Sequence, residues 1–258
     1  MLALCAVLTV NAVQLQRTST VTALDVSQGQ SIVFSSGRAC AVVDCGGRST
    51  AVDPGDLAAR KLLAQGHRSL DLLVLTHPHD DHVNGVLRLM HWLPVHTLVI
   101  PAAADTTQAP LSDILALAEA NHTVVVRVDA ERTVTAGGIS VHLYPEPCAG
   151  QEDGSMIVLA SIGDYDTLVP GDVDMTAEVK FLSSCTYPGI ELLLVGHHGS
   201  KRSTGDAWLD AIAPDAAIIS VGYNSYGHPT SETLERLQAH NIPIYRTDQM
   251  GDITVHLS

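Results

Sequence analysis

The chain has 258 residues, of which 46% are hydrophobic and 16% charged, so its composition excludes a disordered protein and allows one large core. Its formal net charge is -14 and it has no run of Lys and Arg, which argues against a basic nucleic-acid-binding surface. A polyanionic substrate would have to be attracted locally, for example by bound divalent cations. The five cysteines are irregularly spaced and imply no disulfide framework.

The amino end is apolar and carries no charge up to Val13. It is shorter than the ~20 residues that span a bilayer, and it lacks the basic start of a signal peptide. We expect residues 1–16 to be the end of a membrane helix of a longer protein, with a buried strand or helix as the alternative. Residues 17–258 are then expected to form the folded domain.

The predicted elements of the first half begin with an antiparallel meander of three strands at 20–26, 31–34 and 39–44. The pattern then predicts helices at 55–65 and 111–120, and strands at 70–75, 97–100, 123–128 and 141–143. The second half is predicted to contain strands at 156–161, 166–169, 190–195, 216–221 and 253–257, and helices at 176–182, 206–212 and 231–240. Two such halves indicate two packed sheets covered by helices.

Histidines and carboxylates stand where several of these strands end. The strand at 70–75 runs directly into the segment His77–His82, which holds three imidazoles and two carboxylates. Imidazole nitrogens and carboxylate oxygens are ligands that zinc and manganese share. His77 and His79 are two apart on an extended segment and can point to the same side, while Asp81 and His82 can reach a second ion. This segment therefore predicts the anchor of a two-metal site.

Three later strand ends repeat the pattern. One strand leads through Gly171 to Asp172, whose two carboxylate oxygens can bridge two ions ~3.5–4 Å apart. Another ends at His197 and His198, and a fourth leads to His228. The hydroxyl and cationic groups that follow His198 are candidate phosphate-binding residues, namely Ser200, Lys201 and Ser203.

These motifs resemble those of the metallo-β-lactamase superfamily, whose signature His-x-His-x-Asp-His appears here as His77-Pro78-His79-Asp80-Asp81-His82. A closer likeness is to the carboxy-terminal domain of ComEC-type DNA-uptake channel proteins, through the segments 24–31, 197–200 and 224–229. Two departures stand out. The third metal-binding histidine usual in the superfamily is missing from residues 151–155, and Ser27 and Gln30 replace a Gly and an Asp of the ComEC-type loop.

The resemblance implies an α+β fold, a four-layer αββα sandwich, with two Zn²⁺ or Mn²⁺ ions at one edge. It assigns His77 and His79 to one ion, Asp81 and His82 to the other, and Asp172 as the bridge. The terminal ligand is His198 or His228, and the histidine that is not a ligand would protonate the leaving oxygen together with His197. Asp81 is also expected to be essential for catalysis.

The reaction that the resemblance implies is hydrolysis of a phosphodiester by a metal-activated water. The substrate would be incoming DNA, of which one strand would be degraded as single-stranded DNA while the other is transported. The domain would be attached to the membrane channel portion of its parent protein, on the extracytoplasmic face. Two alternatives stay open: a metallo-hydrolase acting on a carbonyl ester, lactone or β-lactam, and a catalytically degenerate module that guides DNA or supports assembly.

Overall fold

The computed structural model describes residues 18–48, 52–145 and 155–257. The expectation for residues 1–16 lies outside these ranges. The described residues form fourteen β-strands and eight α-helices, arranged as two seven-stranded sheets with helices on their outer faces. This is the αββα sandwich that the sequence predicts.

The first sheet contains the strands of the first half and the last strand of the chain. They are β1 (Ser19–Ala23), β2 (Ile32–Ser36), β3 (Ala39–Val43), β4 (Leu70–Val74), β5 (Val95–Pro101), β6 (Val124–Val128) and β14 (Ile253–Leu257), in the order β14-β1-β2-β3-β4-β5-β6. The predicted meander is confirmed, because β1, β2 and β3 pair antiparallel. From β3 to β6 the pairing is parallel.

The second sheet is built in the same way. Its strands are β7 (Arg132–Ala136), β8 (Ile139–Tyr144), β9 (Ile157–Ile162), β10 (Tyr165–Val169), β11 (Leu192–Leu194), β12 (Ala216–Ile219) and β13 (Ile244–Arg246), in the order β13-β12-β11-β10-β9-β8-β7. Strands β7 to β10 pair antiparallel and β10 to β13 pair parallel. Both sheets therefore change from antiparallel to parallel pairing near their middle.

The helices cover the outer faces. They are α1 (Pro54–Ala64), α2 (Asp80–Val83), α3 (Val86–Trp92), α4 (Leu111–Ala120), α5 (Met175–Ser184), α6 (Asp206–Ile212), α7 (Ser231–Ala239) and α8 (Thr247–Met250). The side chain of Asp53 caps α1 by accepting a hydrogen bond from the N–H of Gly55. Within the described ranges, no helix is long and apolar enough to cross a membrane.

Three hydrophobic cores hold these layers together. The central core lies between the sheets, where Phe34 and Leu72 from the first sheet pack with Val158 and Leu192 from the second. A second core lies between the first sheet and helices α1, α3 and α4, and a third between the second sheet and helices α5, α6 and α7. Each fully buried aliphatic side chain contributes ~1.5–3 kcal/mol, so the central core fixes how the two sheets face each other.

Most predicted elements are confirmed within one or two residues, and 111–120, 206–212 and 253–257 match the observed bounds. The pattern did not predict β7, β13, α2, α3 and α8. Three of these contain only three or four residues, too few to show a periodic pattern, and β7 is mostly exposed, which removes the buried face that marks a strand.

The parallel pairing of neighbouring strands determines where in the fold the site lies. The carboxyl ends of β3, β4, β10, β11 and β12 open at one edge of the sandwich, and the polar segments after these strands meet there. Both sheets contribute to this edge, so the site forms only when they are packed together.

Candidate metal centre

The segment after β4 supplies the first ligands. Its backbone stays extended to His79, which begins α2 with φ -66° and ψ 148°, so Asp81 and His82 lie within the helix. The ring centre of His77 lies 4.7 Å from that of His79 and 4.0 Å from that of His82. His77 and His82 are fully buried, whereas His79 is exposed. Three imidazoles therefore stand within one short turn.

Asp172 approaches this turn from the opposite sheet. It follows β10 through Gly171, whose φ of +62° lies in the left-handed region that favours glycine, and a Cβ there would come within 3.1 Å of the Thr76 side chain. One carboxylate oxygen of Asp172, Oδ1, lies 3.2 Å from His82 Nε2, and the other, Oδ2, lies 3.6 Å from His77 Nε2. The carboxylate therefore faces both halves of the predicted site, which is the geometry of a bridging ligand.

The segment after β11 is a single 3₁₀ turn, Gly196–Gly199, with an unusual backbone. Its φ angles are 49° at His197 and 54° at His198, so two successive non-glycine residues adopt the left-handed conformation. Such strain is characteristic of functional sites. His198 Nδ1 donates to the carbonyl oxygen of Ser220 at 2.9 Å, which leaves the Nε2 lone pair facing Asp81 Oδ2 at 3.7 Å. Nε2 of His198 therefore faces the half of the predicted site that contains Asp81.

Two clusters of possible ligand atoms result. One contains His77, His79 and Asp172, and the other contains Asp81, His82 and His198, and within each cluster the ligand atoms lie within 4.8 Å of one another. These are the six residues that the sequence predicts as metal ligands. Each cluster offers three residues even though the segment 151–155 has no histidine, so the described residues supply ligands for two ions.

The buried polar atoms of the site fit divalent ions. Among the described residues, Nε2 of His77, His82 and His198 and Oδ1 of Asp172 are buried without a hydrogen-bond partner. A buried nitrogen or oxygen without a partner costs ~1–3 kcal/mol, so four of them converging at one place require compensation. Imidazole Nε2 and carboxylate oxygens are the donor atoms that Zn²⁺ and Mn²⁺ accept, and a cation there would satisfy all four atoms.

The charged side chains of the site shift the pKa values of His82 and Asp172 in favour of their charged forms. Burial alone would lower the pKa of His82, but the negative charges of Asp172 and Asp44 outweigh burial and raise this pKa well above the usual histidine value. Burial alone would raise the pKa of Asp172, but the charges of His82 and His77 hold this pKa well below the usual carboxyl value. The site thus stabilises positive charge on His82 beside the ionised carboxylate of Asp172.

Asp44 is the functional residue that the sequence motifs did not reveal. It directly follows β3 and is fully buried, with φ 58°. Its carboxylate accepts hydrogen bonds from Thr76 N at 2.7 Å, Thr76 Oγ1 at 2.8 Å, Gln30 Nε2 at 2.7 Å and His82 Nδ1 at 2.8 Å. It therefore fixes the tautomer of His82 and aims Nε2 at Asp172. A carboxylate at the end of a buried strand, the same signal that identified Asp172, could have found it.

The loop around Gln30 belongs to the same network. Besides its bond to Asp44, Gln30 donates its backbone N–H to the carbonyl oxygen of Asp81 at 3.0 Å. The amide of Gln30 keeps a donor directed at Asp44, which the carboxylate of an aspartate could do only in its protonated form. The departure from the ComEC-type pattern at this position therefore stabilises the ligand turn of this chain.

The remaining predicted site residues differ in their position relative to a cleft of about 460 Å³ above the two clusters. His197 and His228 line this cleft with ring centres 5.5 Å apart, and burial lowers the pKa of both imidazoles. Lys201 is exposed, and Ser200 lines a neighbouring groove together with it. Ser203 is fully buried, and its hydroxyl donates to the carbonyl oxygen of Val173 at 2.7 Å, so the structure does not bring Ser203 to the cleft.

Comparison with known sequences gives one family match and several relatives. The family model described as "Metallo-beta-lactamase superfamily" matches residues 24–223. ComE operon protein 3 of Bacillus subtilis is 32% identical over 199 residues, which cover 74% of this chain and 25% of that protein. Competence protein ComA of Neisseria gonorrhoeae is 30% identical over 244 residues, which cover 90% of this chain and 31% of that protein. The chain spans about a quarter to a third of the length of these relatives.

Comparison with solved structures agrees at the level of the fold. The crystal structure of the metallo-beta-lactamase fold protein YhfI from Bacillus subtilis aligns with a TM-score of 0.62 at 14% sequence identity. The alignment covers 93% of this chain and 100% of that chain. At this identity the likeness concerns the fold alone.

Proposed function

The chain belongs to the metallo-beta-lactamase superfamily, and from this premise we propose that it is the metal-dependent DNA phosphodiesterase of a DNA-uptake protein, degrading the strand that is not transported. Membership supports a metal-dependent hydrolase, and the relatives named as competence proteins support a role in competence. The observation that carries the proposal is the convergence of four buried, unpartnered ligand atoms from both sheets, on His77, His82, Asp172 and His198.

The proposed centre holds two divalent ions, Zn²⁺ or Mn²⁺. His77 and His79 would hold one ion, Asp81, His82 and His198 would hold the other, and Asp172 would be a ligand of both. We choose His198 over His228 as the terminal ligand because His198 is buried and lies within the second cluster, whereas His228 belongs to neither cluster. When bound, the two ions supply an activated water nucleophile and neutralise the charge that develops on the phosphate.

The side chains of this chain orient the metal ligands, supply a proton and bind the substrate. Asp44 orients His82, and the carbonyl oxygen of Ser220 orients His198, so the ligands are placed before any ion binds. His197 and His228 line the cleft, and either imidazole can hold a proton at Nε2 for the departing oxygen. Ser200 and Lys201 provide a hydroxyl and a cation beside the cleft for the phosphates that follow the cleaved one.

The setting of the domain is part of the proposal. Residues 17–258 form the hydrolase domain of a DNA-uptake protein. The membrane channel portion of that protein is the partner of the domain, on the extracytoplasmic face. The share of the competence proteins that the chain covers supports this arrangement, because most of each relative lies outside the matched region.

A cleavage assay with single-stranded DNA tests the activity. We expect the Mn²⁺- or Zn²⁺-loaded chain to cut the DNA, and Asp81→Ala to lower the rate by at least ~10²-fold, because it removes a ligand of the second ion. Asp80→Ala is the matched control, because Asp80 is exposed and belongs to neither ligand cluster. Activity on nitrocefin or a homoserine lactone without any cut DNA would instead assign the site to carbonyl substrates.

Metal content tests the site itself. Mass spectrometry of the purified chain should find two equivalents of metal, about one in His198→Ala, and less than one in Asp172→Ala, because Asp172 contacts both clusters. A wild-type chain with no stoichiometric metal would reject the hydrolase and favour a degenerate module. Asp80→Ala should again match the wild type.

A further inference from the structure

An exposed tyrosine stands between the metal cleft and a second groove. Tyr226 and His228 line both cavities, and the second groove, also about 460 Å³, continues past Ser200 to Lys201 and Arg202. Tyr226 therefore lies on a continuous path that leads from the ligand clusters to two cationic side chains. Tyr226 is 57% exposed, so its ring is accessible to a ligand that occupies either cavity.

The loop that presents Tyr226 is held rigidly by Asn224. The Asn224 amide nitrogen donates to the carbonyl oxygens of Gly222 and His228, both at 2.8 Å. Its amide oxygen accepts from the N–H of Tyr226 at 3.1 Å and from the N–H of His228 at 3.0 Å. One side chain thus closes the loop with four hydrogen bonds. The ring of Tyr226 is positioned before a ligand arrives, which lowers the entropic cost of binding.

Arg48 completes the arrangement from the first sheet's side of the cleft. Its guanidinium lies 5.9 Å from the centre of the Tyr226 ring, and its Nη1 donates to the Tyr226 hydroxyl at 3.3 Å. The Tyr226 ring centre is in turn 5.8 Å from that of His228. An arginine beside an aromatic ring offers both a flat stacking surface and a phosphate-binding group.

The charged side chains that border the two cavities fit a single-stranded nucleic acid. The chain has 14 Lys and Arg residues against 28 Asp and Glu, yet Arg48, Lys201 and Arg202 all border these two cavities. Of the three carboxylates that line the cleft, Asp81 and Asp172 belong to the ligand clusters and Asp80 does not, and the second groove is lined by a single acid, Glu232. Cations spaced around an exposed ring are the arrangement that binds single-stranded nucleic acid, whose unpaired bases stack and whose phosphates need positive charge.

We propose that Tyr226 and Arg48 form a base-stacking subsite for single-stranded DNA next to the cleaved phosphate, and that Lys201 and Arg202 hold the backbone of the strand as it leaves the cleft. This inference rests on the proposed nuclease function and adds the way in which the substrate is held. It explains how a strongly acidic chain binds a polyanion, because the contacts are confined to this path. Bases of a duplex are already stacked and paired, so the subsite selects single strands.

The test measures binding of an end-labelled phosphorothioate oligothymidylate, which resists hydrolysis, to the full Mn²⁺-loaded chain by fluorescence anisotropy. Tyr226→Ala should raise the Kd about 5- to 150-fold, the range expected for loss of one stacked base. The same variant should bind an abasic oligonucleotide of equal length as the wild type does, because no base is present to stack. Tyr226→Trp should restore binding of the oligothymidylate.

Tyr223→Ala is the matched control, because Tyr223 belongs to the same loop, is 96% exposed and does not line the cleft. It should leave the Kd unchanged, and metal content should be unchanged in all three variants. Lys201→Ala should lower the slope of log K against log salt by ~0.7, the value for one phosphate contact on a single strand.

The outcomes separate the inference from the function. A Tyr226→Ala chain that binds oligothymidylate within twofold of the wild type, or that loses affinity equally for the abasic strand, overturns the stacking subsite while the wild type still binds and cuts DNA. A wild type that neither binds nor cuts single-stranded DNA overturns the proposed function itself.

Discussion

The two histidine-bearing strand ends hold their ligands by different means. After β4, the turn is fixed by side chains: Asp44 accepts four hydrogen bonds, and one of them comes from His82. After β11, His197 and His198 depend on a left-handed backbone, and the loop beyond them is anchored by Glu178, whose carboxylate accepts from the N–H groups of Thr204 and Gly205.

This difference shows that one metal centre can combine two kinds of preorganisation. The first turn is an electrostatic network in which a buried carboxylate sets the orientation and charge of a ligand. The second is a scaffold in which the conformation of the main chain sets the direction of the ligand. A substitution that disrupts the turn after β4 should lower metal binding and stability together. A substitution that disrupts the turn after β11 should change one of these two properties without the other.

The largest effect is expected for Asp44→Ala. The change leaves the buried His82 Nδ1, Gln30 Nε2 and Thr76 groups without their acceptor, so we expect a loss of ~3–5 kcal/mol in the free energy of unfolding. Metal content should fall as well, because His82 is no longer oriented. Urea denaturation and mass spectrometry measure the two effects.

Asp71→Ala is the control for Asp44, because Asp71 lies in β4 at some distance along the strand from His77 and accepts a hydrogen bond from Cys40 N at 2.9 Å. Asp71→Ala should lower the free energy of unfolding by ~1 kcal/mol and leave the metal content unchanged. A stable Asp44→Ala chain that retains two ions would show that the first turn is not held by this network.

A pH-dependent effect is expected for Glu178→Gln. Burial raises the pKa of Glu178 to about 7 from a usual value of 4.5, against the opposing effect of the N–H groups of Gly205 and Thr204. Between these two values the folded chain keeps a proton that the unfolded chain has released, so this carboxyl makes stability fall as pH rises. The total is up to about 3 kcal/mol over this interval.

Glutamine cannot ionise and lacks this contribution, so the stability of Glu178→Gln relative to the wild type should increase from pH 4.5 to 7. Denaturation midpoints at a series of pH values give the difference in stability between the variant and the wild type. The contributions of all other titratable groups cancel in this difference. Glu232→Gln, which alters an exposed carboxyl, should gain no stability with rising pH. Parallel profiles for Glu178→Gln and the wild type would show that burial does not raise the pKa of Glu178.

The smallest effect concerns the left-handed backbone at His197. A non-glycine residue in this region costs ~1–2 kcal/mol, so His197→Gly should be more stable than His197→Ala by about 1 kcal/mol, opposite to the usual order of these residues. His122, which has φ 58° and lies outside the site, should show the same order in thermal denaturation. If alanine is the more stable residue at position 197, the turn is not strained as described.

Much of the site could be predicted from the sequence because metal ligation is a matter of residue type and spacing. A buried strand that runs directly into three histidines and two carboxylates needs a ligand to compensate so much polarity, and the fold follows from two runs of strands and helices with the right periodicity. All six predicted ligands, from His77 to His198, lie in the two clusters. The short helix α2 and the strand β13 were missed because three or four residues show no period.

Only the tertiary structure decided how these groups are used. Asp44, His82, Asp172 and His198 are far apart in the chain and meet because two sheets pack face to face, so no local pattern states which oxygen faces which nitrogen. Hydrogen bonds to buried partners select His198 rather than His228 for the cluster and turn Ser203 inward. The sequence determined which ligands are present because their chemistry is local, and packing determined their orientation because orientation depends on neighbours that folding brings together.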